Sequence, residues 1–152
     1  MQTVVDEISN AAKLLGLNPH ELIQLPAHES ERIFLAAQNH FVASANRRWW
    51  WEDFRKPGVA AQFMDSDGWR RVPEIVPNPE ESVWFIAEED QLAHYPVYET
   101  TPKIACQIIG ECYGFEFYLV ARNFDWLVCE THHGVVHAIG LPVEQRLAQI
   151  QR

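Results

Sequence analysis

The sequence predicts an α+β fold, with N-terminal helices followed by an antiparallel sheet in β-α-β-β-β order and closed by a C-terminal helix. Three observations lead there. Apolar residues recur at helical spacing up to Phe41. β-rich runs gather after Ser82, the last three at hairpin spacing. Helices precede strands instead of alternating with them, the order of an α+β chain whose helices pack on one face of the sheet. A length of 152 residues suits a single domain spanning 1–152.

Thr3 and Asp6 form a capping-box pattern, and Val4, Ile8, Ala11, Ala12 and Leu15 then recur on one helical face up to Gly16. Asn18-Pro19 followed by Glu21 reads as the start of a short second helix, which Pro26 stops. A third helix is expected from Glu29 or Ser30, carrying Ile33, Ala37, His40 and Phe41 inward. The stretch from Arg47 to Phe54 is compatible with a continued helix or a new strand, but three consecutive tryptophans cannot share one face under either period. Asp65-Ser66-Asp67-Gly68 and three prolines make 56–81 mostly irregular, anchored by Trp69.

Ser82 to Ala87 is a β-rich run buried on both faces or nearly so. Tyr95 to Glu99 suits a short edge strand that tolerates Pro96. Thr101-Pro102 opens a helix with Ile104, Ala105, Ile108, Ile109 and Cys112 on its stripe, ending at Gly114. Strands follow at 115–121, 125–131 and 135–139, turned by Asn123-Phe124-Asp125 and His132-His133-Gly134. A last helix runs from Leu141 to Gln151 with Val143, Leu147 and Ile150 inward. Trp84, Phe117, Tyr118 and Trp126 are the expected large core residues of the sheet.

Composition narrows the function. No run of 18 apolar residues is present, and the first residues lack the basic start and apolar run of a signal peptide, so a cytoplasmic protein is expected. Three cysteines do not make a disulfide framework. Twenty-one acids against twelve bases leave a net charge of −9, which disfavours a phosphate backbone as partner. The charge is also polarised. Seven acids and no Lys or Arg lie between Glu74 and Glu99, whereas six bases lie between Arg47 and Arg71.

Three constellations carry chemistry. Trp49, Trp50 and Trp51, flanked by Arg47, Arg48, Arg55 and Lys56, can stack nucleobases or serve as an interface hot spot; the overall charge favours core filling with one indole at the rim. Glu88, Glu89 and Asp90 are the densest acidic run and can steer a basic partner. Cys129, His132, His133 and His137 have the residue types of a zinc site, and Cys129 and His132 have the spacing of one ligand pair, but no second pair accompanies them. Glycine and histidine in a hairpin more often simply turn the chain. Asp65-Ser66-Asp67-Gly68 fails the calcium-loop pattern, which wants glycine sixth and glutamate twelfth. No nucleophile elbow or phosphate-cradling glycine loop occurs, and no cofactor is expected.

Trp50-Trp51-Glu52-Asp53-Phe54, Val83 to Glu88, Phe115 to Val120 and Phe124 to His133 together resemble a family of small uncharacterised bacterial proteins. That family shares a W-E-x-F segment and a D-W-L-x-C-E-x-H-H hairpin, and the likeness runs from about residue 45 onward. The resemblance implies a fold and no activity. In size and composition the chain is also similar in type to the immunity or antitoxin partners of bacterial toxins. The expected function is therefore a non-enzymatic interaction module, of the kind that inhibits a basic protein partner. The alternative is a metal-dependent enzyme using Cys129, His132 and His133.

Overall fold

The computed structural model describes residues 2–44, 49–65 and 67–150. Arg47 and Arg48, expected beside the tryptophans, lie outside the described residues, as does the expected helix end at Gln151.

The capping box forms as read: Thr3 Oγ1 accepts from the Asp6 amide, and the Asp6 carboxylate accepts from the Thr3 amide. Helix α1 (Val4–Leu15) follows, and Gly16, at φ +67°, ends it in the left-handed conformation that glycine adopts without strain. The second helix does not form. Asn18 and Glu21 close a single turn instead, and Ile23–Gln24 becomes strand β1, paired to Glu99 and Tyr98 at the edge of the sheet. Helix α2 (Ala27–Phe41) starts earlier than expected, because Ser30 does not cap it: buried, its hydroxyl accepts from the Val97 amide and ties the helix to the sheet.

After α2 the chain forms a 3-10 turn over Trp50–Glu52, neither helix nor strand. The region read as irregular contains a strand, β2 (Val59–Gln62), a 3-10 turn at Gly68–Arg71 and the short helix α3 (Val72–Ile75). Val59-Ala60-Ala61-Gln62 carries little β-pattern of its own; pairing with a full-length neighbour strand creates it. The remaining elements come as predicted, with shifted ends: β3 (Val83–Ala87), β4 (Val97–Thr100), α4 (Pro102–Gly110), β5 (Phe117–Ala121), β6 (Leu127–Glu130), β7 (Val135–Ile139) and α5 (Leu141–Gln149). Helix α4 stops at Gly110, short of Gly114; the Trp69 ring lies so close that a Cβ at Gly110 would meet it at 3.1 Å.

All seven strands make one antiparallel sheet in the order β1-β4-β3-β5-β6-β7-β2. The α+β class and the closing helix stand, and β4 lies inside the sheet, not at its edge. The expectation of helices on one face does not hold. In β3 and β5 all five residues are buried, so both faces of the central strands need cover. Helices α1, α3, α4 and α5 pack with Phe85, Phe117, Leu119 and Val128 on the first face. On the second face α2 and Trp50 pack with Trp84, Ile86, Tyr118, Val120, Leu127 and Cys129. Trp84, Phe117, Tyr118 and Trp126 are all buried. No helix among the described residues is long and apolar enough to cross a membrane.

A candidate functional site around Glu116

The three candidate constellations are far apart in sequence, yet antiparallel pairing brings them to one end of the sheet. That end collects the C-terminal ends of β3 and β6 and the N-terminal ends of β5 and β7. The Glu88 amide donates to the Glu116 carbonyl at 2.9 Å, extending the β3–β5 ladder by one residue. The β6–β7 turn places His132 and His133 beside it. Thr131, itself buried, fixes this turn by accepting the amides of His133 and Val135 at 3.2 and 3.4 Å.

Glu116 is the centre of the cluster, and it was not among the sequence candidates. Only 4% of it is exposed. Its Oε1 accepts the Trp51 indole Nε1–H at 3.3 Å, and its Oε2 accepts the His132 amide at 2.6 Å. The same Oε2 lies 2.6 Å from His132 Nδ1. A carboxylate only accepts, so the Nδ1 that faces it is the donor of this contact, on an imidazole that is half-exposed. A buried charge is tolerable when its lone pairs are filled in this way.

Aromatic rings pack around this carboxylate. Trp51 stacks on His137 (6.4 Å, 25°) and meets His132 and His133 edge-on at 5.7 and 5.8 Å. Trp49 lies 6.4 Å from Trp51 and 5.9 Å from His132, and the two imidazoles of the turn are 4.0 Å apart. Trp49 and Trp51 are partly exposed, whereas Trp50 is fully buried against Phe34 and Tyr118. The 3-10 turn resolves the facing conflict by sending the middle indole inward and its neighbours outward.

The acidic run divides by role. Glu89 is turned inward to α1, its Oε1 accepting the Val4 amide at 2.9 Å at the helix N-terminus. Glu88 is half-buried beside Glu116, and Asp90 is exposed. Of the histidine–cysteine set, Cys129 sits beside His137 across the β6–β7 ladder, and burial pushes its thiol far above the usual range. Burial lowers His137, which is wedged between Trp51 and Phe54. Among the described residues, no three His, Cys, Asp or Glu side chains are grouped to hold a metal ion.

The fold and this site define an α+β protein with helices on both faces of an antiparallel sheet and a carboxylate-centred aromatic cluster at one sheet end. The chain belongs to the family described as "Family of unknown function (DUF6756)", which it matches over residues 1–151. No curated protein and no solved structure matches it.

Proposed function

We propose that this protein is a non-enzymatic interaction module that docks a basic protein partner on the Trp49–Trp51 face, in the manner of an immunity-type inhibitor. The observation that carries the reading is the Glu116 carboxylate, which clamps the Trp51 indole and the His132 backbone and ring at once. Aromatic side chains already fixed before contact lose little freedom on binding, which is what a hot-spot residue needs. Trp49 and Trp51 offer two such rings, partly exposed. Glu88 and Asp90 follow at the end of β3, so the face pairs indoles with carboxylates in a chain of net charge −9. Acidic groups beside an apolar anchor speed encounter with a basic surface and penalise an acidic one.

Affinity capture tests the reading. Wild type and a Trp49→Ala/Trp51→Ala double variant are each tethered and exposed to lysate of the native cells at low and at high salt. The wild type is expected to retain a basic protein that the variant loses and that high salt weakens. Recovery of the same proteins by both baits would contradict it.

A further inference from the structure

A second site lies at the opposite end of the sheet, where β7 runs into α5. A cavity of about 130 Å³ opens there, floored by Phe41 and Ile139 and rimmed by the Arg55 and Lys56 side chains. Its walls meet because glycines permit close backbone approach. Gly58, at φ +60°, lets the arm carrying Arg55 and Lys56 lie on β7; a Cβ there would sit 2.3 Å from the Ala138 carbonyl. Gly140, at φ +108°, lets the β7–α5 corner lie on the β5–β6 turn; a Cβ there would sit 2.3 Å from the Asp125 carbonyl. Phe124 in that turn also has a positive φ, +62°, a costly conformation for an aromatic residue, and its ring packs on His40 at the cavity wall.

The rim carries two neighbouring bases that no carboxylate of the described residues holds. Arg32, Arg70, Arg71, Lys103 and Arg122 each face a carboxylate within 4.0 Å. Among the described residues, Arg55 and Lys56 pair with none, as do Lys13 and Arg146, although acids outnumber bases; of these four, Arg55 and Lys56 are the two that line a cavity together. Arg55 spends its Nε–H on the Asn39 carbonyl at 3.1 Å, which aims the guanidinium; among the described residues its other side-chain donors meet no acceptor. Asp125, the one acid on the wall, is engaged by the Asn123 amide at 2.9 Å.

From these features we infer that the cavity binds a small organic anion, its carboxylate on Arg55 and Lys56 and its apolar body over Phe41 and Ile139. The volume is well below the ~300–1,000 Å³ of pockets for drug-sized ligands, so the ligand is about the size of a single ring. Arginine offers a carboxylate two parallel donors, and the apolar floor distinguishes an organic acid from a bare oxyanion. The site is independent of the aromatic face, and either can fail without the other.

The test titrates benzoate, its neutral isostere benzamide and inorganic phosphate into the full chain, read by amide NMR shifts. Benzoate is expected to give saturable shifts at Lys56, Ile139 and Gly140, with benzamide and phosphate weaker. Arg55→Gln/Lys56→Gln, both exposed and outside the core, is expected to weaken benzoate by about tenfold or more. Benzamide binding as well as benzoate, phosphate binding as well as benzoate, no saturable benzoate shifts, or an unchanged affinity in the double variant would each overturn the inference.

Discussion

Glu116 immediately precedes β5, in phase with the buried Tyr118 and Val120, and it survives there because each carboxylate oxygen has a donor. Glu116→Gln keeps the shape, removes the charge and replaces one acceptor by a donor that meets N–H groups. The expected cost is ~1.5–3 kcal/mol, the value of hydrogen bonds to a charged group, measurable in urea unfolding. The Trp51 indole N–H resonance should move in the same variant. Glu130 is a different case. Burial, with Asp65 and Asp67 nearby, pushes its carboxyl up to about 7 from 4.5, against the opposing pull of the Gly68 and Trp69 amides. An acid raised in the folded state binds more protons folded than unfolded between those two values, so stability falls as pH rises from 4.5 to 7 and levels off above. Unfolding midpoints across that window should show the fall, and Glu130→Gln should flatten it. At this scale the sequence was partly legible. His132, His133 and the tryptophans stood out by type, but an acid between two phenylalanines gives no sign of its importance until strand phase is known.

At the scale of elements, the 3-10 turn of Trp50–Glu52 decides which indole belongs to the core and which to the surface. Trp50→Ala should cost ~3–5 kcal/mol as a large core truncation, and Trp126→Ala a similar amount. Trp51→Ala, half-exposed, should cost clearly less in the same denaturation series. Gly140→Ala should destabilise as well, because φ +108° suits glycine alone and the new methyl would meet the Asp125 carbonyl. Elements with local signals were readable: the α1 box, the Thr101-Pro102 start of α4, and the two hairpin turns. Those dictated by a partner were not. β1 and β2 exist because β4 and β7 present unpaired edges to them, and Val59-Ala60-Ala61-Gln62 carries no pattern to announce it.

At the scale of the molecule, one sheet with two covered faces does the positioning. The large helical layer on the first face fixes the β3–β5–β6–β7 register, and α2 leaves the sheet end on the second face open to the 49–54 segment. Two-faced burial was written in the continuous apolar runs of β3 and β5, while the convergence of Glu88, Glu116, Trp51 and His132 depends on long-range pairing that no local pattern encodes. The proposed docking of a partner falls at this end of the sheet. In-cell photo-cross-linking is the test, with a benzophenone amino acid at Trp49 and, as a control, at Tyr113, which is 93% exposed and bonded through its amide to Glu7 of α1, the helix packed on the first face. A discrete adduct with one basic protein from position 49 and not from position 113 is the predicted result. No adduct from 49, or the same adducts from both positions, would contradict it.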